Sequence, residues 1–150
     1  MSDSNYDKCG GEYVSAAFLL RLFLGLRTLF AGIEKFEAKG TYSLQNYSDN
    51  MTRMAQGITG ASFLPLWATK NFALGLGYVL IVLGVALLLG IKLRQTLFLT
   101  GLVYVGLSFG LMAVQESEGV AWLGIHVGMI AGALALVRYN RVCLWPNKFD

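Results

Sequence analysis

Four stretches of the chain are nearly unbroken runs of apolar side chains: Val14–Ile33, Phe72–Ile91, Leu97–Val114 and Val120–Val137. Together they contain only two charged residues, Arg21 and Arg27. A helix that crosses the hydrocarbon core needs about 20 predominantly apolar residues. The pattern therefore predicts an all-α polytopic membrane protein, a single domain over residues 1–150 built as an antiparallel bundle of four transmembrane helices. The segments Lys92–Thr96 and Gln115–Gly119 join consecutive runs, and such short turns force antiparallel neighbours. The first connection, residues 34–71, is long. Connections beyond about 12–15 residues are usually functional or disordered. Within it Met51, Met54, Ala55 and Ile58 recur at helical spacing, followed by Phe63, Leu64, Pro65 and Trp67. They predict a short amphipathic helix on the outer interface, with Trp67 in the aromatic belt. A lid over the bundle and a passive surface helix both fit. Asn46-Tyr47-Ser48 and Asn50-Met51-Thr52 match a glycosylation pattern too short to carry weight.

Composition supports this reading. Apolar residues make up 55% and charged residues 14%, where a soluble domain carries about 25% charged. The net charge of +3 is dispersed along the segments flanking the runs, which fits loops on the cytoplasmic face and excludes nucleic-acid binding. Lys92, Arg94, Arg138, Arg141 and Lys148 are assigned to the cytoplasm, and Glu116 and Glu118 to the outside. Both termini are then cytoplasmic, as expected in a bacterial inner membrane. The basic residues Lys35, Lys39, Arg53 and Lys70 in the first connection dilute the asymmetry. The first run is no cleaved signal, because Asp3, Asp7 and Glu12 against Lys8 replace the positive leader. Cys9 and Cys143 lie outside the runs and form neither a metal-ligand spacing nor a disulfide framework.

Glycines at small-xxx-small spacing, Gly124, Gly128 and Gly132 on the fourth run and Gly106 with Gly110 on the third, predict close helix packing. It would serve the bundle interior or a homo-oligomer. Polar side chains inside the runs are candidates for function. Thr100, Tyr104 and Ser108 follow i, i+4, i+8 and share a face. Arg27, Tyr78, Ser108 and His126 each lie six residues from one end of their run. Alternating helix directions bring them to about the same depth, roughly 9 Å from one surface at about 1.5 Å per residue. The candidate ligand-binding residues are therefore Arg27, Tyr78, Tyr104, Ser108 and His126, facing a quinone or lipid head group. Three structural roles compete with that reading. Arg27 pairs with Glu34 or snorkels, Tyr78 joins the aromatic belt, and His126 hydrogen-bonds across helices. No catalytic triad, phosphate loop or carboxylate dyad occurs in the runs, and no covalently bound cofactor or metal is expected. A lone histidine cannot supply bis-histidine haem ligation, so electron transfer would need a diffusible carrier or a partner.

The motif Arg21-x3-Gly25-x6-Gly32-x2-Lys35-Phe36, within RLFLGLRTLFAGIEKF, resembles the first-helix signature of the DoxX-like membrane proteins. The later LIVLGVALLLGIKLRQTLFL is similar to their glycine-punctuated second helix. The resemblance runs from Val14 to Val137 and puts Arg21 and Lys35 at family positions. That family includes the DoxD subunit of thiosulfate:quinone oxidoreductase. The resemblance implies a membrane subunit of a quinone-linked redox or respiratory assembly, acting with partner subunits. The acidic N-terminal stretch has no family counterpart, and no extramembrane domain is present to handle thiosulfate. A non-catalytic structural subunit of a larger complex is the alternative, with a small transporter third.

Overall fold

A computed structural model describes the backbone of residues 3–140 and the side chains of residues 11–140. The side chains of Asp3, Asp7, Lys8, Cys9, Arg141, Cys143 and Lys148 lie outside the described residues. The order is α1 (Asp3–Ile33), a 3-10 turn (Glu34–Phe36), a hairpin of β1 (Glu37–Ala38) and β2 (Thr41–Tyr42), α2 (Leu44–Ala61), α3 (Leu66–Leu89), α4 (Leu93–Ala113), α5 (Ser117–Ala135) and a last 3-10 turn (Val137–Tyr139). Helices α1, α3, α4 and α5 are each long and apolar enough to cross a membrane. Their outward faces carry Leu19, Phe30, Val82, Phe98 and Val105, a surface suited to lipid rather than water. The chain is an all-α integral membrane protein.

The helices extend beyond the apolar runs, which corrects the expected turns. Helix α3 begins at Leu66 and takes in Thr69, Lys70 and Asn71, α4 begins at Leu93 and α5 at Ser117. Hydropathy marks where side chains stop being apolar, not where the backbone stops being helical. Thr96 shows why: its hydroxyl donates to the Ile91 carbonyl at 2.7 Å, so a polar side chain near the helix start is satisfied locally. What remains of the turn after α3 is Gly90–Lys92. Gly90 closes the helix in the left-handed conformation, φ 70°, and the Ile91 N–H returns to the Ala86 carbonyl at 3.0 Å, a Schellman-type ending. The first connection is not a loop: its hairpin turns on Lys39 and Gly40, both at positive φ, as a two-residue hairpin requires. Ser43 then caps α2, its hydroxyl accepting from the Asn46 N–H at 3.0 Å. The predicted amphipathic helix is α2, which buries Tyr47, Met51 and Ala55 against α3.

The most extensive helix pair is α1 on α3, and glycine makes it. A Cβ at Gly25 would fall 2.9 Å from the Leu88 side chain, one at Gly32 2.7 Å from Ile81, and one at Gly84 2.6 Å from the Leu29 backbone nitrogen. These contacts climb α1 as they descend α3, so the helices run antiparallel with leucine and isoleucine seated over the partner's glycines. The expected stripes behave differently. Gly106 and Gly110 meet the side chains of Phe72 and Ile58, while a Cβ at Gly124, Gly128 or Gly132 would meet nothing within 4 Å. The α5 stripe therefore does not serve the bundle interior. It opens outward, on the side of α5 opposite buried His126.

Substituting the two kinds of glycine separates these roles. Gly84→Leu should destabilise the detergent-solubilised protein by at least about 1–3 kcal/mol, the range for overpacking. Gly128→Leu should stay within about 0.5 kcal/mol of wild type, as exposed positions do. Thermal unfolding followed by circular dichroism measures both, and equal destabilisation would contradict the packing described.

Candidate functional site

Between the helices lies a cavity of about 520 Å³, within the size range of small-molecule sites, roughly 300–1,000 Å³. Its walls are mostly apolar, with Leu80, Leu107 and Leu123 among them, and α2 covers one end with Met54, Gly57 and Ile58. Polar groups enter from three helices: Arg27 from α1, Tyr104 from α4 and His126 from α5. Three of the five residues expected at a ligand site thus line one space.

Each is held by its surroundings. The Arg27 guanidinium stands 3.7 Å from the Glu34 carboxylate, both partly exposed, so the expected pairing one helical face apart is formed, and both groups border the cavity. The Tyr104 hydroxyl shares a buried hydrogen bond of 3.2 Å with Thr28 of α1, tying α4 to α1 at the cavity wall. The ring of His126 lies between Phe23, 6.2 Å away, and Tyr104, 5.5 Å away, close to parallel with both. Its Nδ1 is 2.7 Å from the Trp122 carbonyl. A carbonyl oxygen only accepts, so Nδ1 carries the proton. His126 is 7% exposed, and its Nε2 has no hydrogen-bond partner among the described residues.

The other two expected residues sit elsewhere. Ser108 is buried on the same face as Thr100 and Tyr104, but its hydroxyl donates to the Tyr104 carbonyl at 2.9 Å and does not line the cavity. Tyr78 is 51% exposed and packs edge-on against Phe36 and Tyr47, at 5.5 and 5.2 Å. An expected depth carries no direction: Tyr78 faces the aromatic cluster with Phe36 and Tyr47, and His126 lines the cavity. Arg21, the other charge within the runs, is buried midway along α1, with its guanidinium donating to Asn140 at 2.8 Å.

Sequence reasoning missed two contributors. Thr28 is fully buried and positions Tyr104, a role signalled only by a hydroxyl inside an apolar helix. Tyr47 anchors α2: its hydroxyl donates to the Leu74 carbonyl and accepts from the Gly77 N–H at 3.2 Å, while its ring stacks on Phe36 at 4.3 Å. Gly77 leaves the room for it, since a Cβ there would fall 2.5 Å from the ring. Heptad spacing of Gly77 and Gly84, matched by Gly25 and Gly32, was the available signal. Among the described residues no cluster of three or more His, Cys, Asp or Glu side chains is placed to hold a metal ion.

Comparison with protein families, with curated proteins and with solved structures returns no match.

The Tyr47 anchor gives the closure of the cavity a pH dependence. Burial pushes the Tyr47 phenol above its ordinary value of 10.0, the Gly77 N–H opposes this, and nearby Tyr78 adds to the rise. A raised folded value means that Tyr47 contributes its full stabilisation below pH 10.0 and loses it as the pH climbs through the folded value. A fluorophore on Arg53→Cys, in a chain without Cys9 and Cys143, should gain mobility only in alkali above that point. In Tyr47→Phe this alkaline transition should vanish. An identical transition in both chains would show that another group controls it.

Proposed function

We propose that the protein is an amphiphile-binding membrane subunit that holds a quinone or a lipid in the cavity between α1, α3, α4 and α5, beneath α2. The observation that carries this reading is the cavity itself: apolar walls of suitable volume, with a cation, a phenol and an imidazole entering from three helices. Convergent polar groups in an apolar pocket are the usual form of a small-molecule site. Intramembrane polar side chains are costly and tend to be retained where they do something. The first-helix motif adds the reading of a DoxX-like subunit in a quinone-linked redox or respiratory assembly, working with partner subunits that carry the electron-transfer centres. In this reading the chain contributes binding and orientation. Its membrane is the bacterial inner membrane, with both termini cytoplasmic and α2 lying over the cavity at the outer face.

Bound quinone and lipid, quantified by mass spectrometry in the purified protein, test this directly. Truncating a charged hydrogen-bonding partner costs about 1.5–3 kcal/mol, so Arg27→Leu should reduce ligand content roughly ten- to a hundredfold while leaving the melting temperature nearly unchanged. His126→Leu should also lose ligand. Equal content in wild type and both variants would leave the structural-subunit reading in its place.

Orientation has its own test. In a chain without Cys9 and Cys143, a cysteine at Ser117 should react with an impermeant reagent added outside the cell, and one at Gln95 should be protected. The reverse pattern inverts the topology.

A further inference from the structure

The unpartnered ring nitrogen of His126 says what kind of head group the cavity takes, and the argument rests on the binding role proposed above. Nδ1 is committed as a donor to the Trp122 carbonyl. In the neutral ring, Nε2 then holds a lone pair and can only accept. It is buried and has no donor among the described residues, and a buried acceptor left unpaired costs about 1–3 kcal/mol. His126 lines the cavity, so an occupant is the available source of the missing hydrogen. Nε2 is closed to solvent, and an occupant must press in beside it.

The charges nearby narrow the choice. Glu34, 3.7 Å away, balances the charge of Arg27, Lys35 borders the cavity from the turn after α1, and among the described residues no carboxylate forms an ion pair with His126. The part of the cavity beside His126 and Tyr104 thus favours an uncharged head, and the leucine-rich walls favour an apolar tail. We propose that the cavity selects a neutral amphiphile whose head group donates a hydroxyl hydrogen to Nε2 of His126. The reduced hydroquinone form of a quinone has this chemistry and its carbonyl form lacks it. The free hydroxyls of a monoacylglycerol have it too.

The test uses the full chain in detergent at pH 8 under anaerobic conditions. Five probes are titrated by calorimetry: a decyl-substituted hydroquinone, its dimethyl ether, the matching benzoquinone, and monoolein with its dimethyl ether. In wild type the hydroxylated member of a pair should bind at least tenfold more tightly than its ether, and the hydroquinone should bind more tightly than the benzoquinone. The pair that shows the difference identifies the source, hydroquinone or glycerolipid. His126→Phe should remove the difference between the hydroxyl and ether forms. Because the comparison of a hydroxyl with its ether is made in wild type, it does not depend on the variant folding. Equal binding of hydroxyl and ether forms, or a preference that survives in folded His126→Phe, overturns the donor assignment and leaves amphiphile binding standing. Failure of every probe to bind overturns both.

Discussion

Close backbone contact between α1 and α3 is the interaction on which the rest of the bundle depends. Lipid tails are as apolar as leucine, so helices in a membrane gain little from burying apolar surface against each other and must rely on tight packing. Gly25 and Gly32 on one helix and Gly84 on the other remove the side chains that would hold the backbones apart. Leu88, Ile81 and Leu29 fill the space so created. With this pair fixed, α4 and α5 pack on each other and more lightly on α3 and α1. The cavity lies where the four helices do not close. A bundle packed as tightly throughout as α1 on α3 would have no room for it.

The same economy governs the polar side chains. Thr96, Thr100 and Ser108 all donate to carbonyls of preceding turns, which satisfies a hydroxyl inside a membrane without a partner from another helix. They are inert for that reason. Thr28 and Tyr104 instead spend their hydroxyls on each other across two helices, and this cross-link sets the position of the Tyr104 ring against His126. His126 departs from the rule, with one nitrogen satisfied within its own helix and the other by nothing described. In a membrane interior that imbalance is costly, and the proposed ligand contact would relieve it.

Helix α2 belongs to the site as much as to the surface. Its apolar stripe was legible from the spacing of Met51, Ala55 and Ile58, but what docks it is a tyrosine seated over a glycine of α3. Tyr47 places its hydroxyl at the Gly77 N–H and the Leu74 carbonyl, and in doing so brings Met54 and Ile58 over the end of the cavity. Closure of the cavity is thereby coupled to a polar contact within a transmembrane helix.

The sequence by itself determined that four helices cross a membrane, that neighbours run antiparallel, and that an amphipathic helix fills the long connection. These follow from the length of apolar runs, the shortness of turns and a helical repeat, all local properties of the chain. It also set an expectation of common depth for Arg27, Tyr78, Ser108 and His126, by counting residues to the ends of the apolar runs. Tertiary structure decided which of them meet. The rotation of each helix about its axis is set by which glycines find which side chains, and no single helix contains that information. It turned Arg27, Tyr104 and His126 into one cavity, sent Tyr78 to the aromatic cluster beneath α2, and left the most conspicuous glycine stripe, on α5, facing outward. The glycines that pack the core are spaced seven apart on two different helices, and their meaning appears only when the helices are paired.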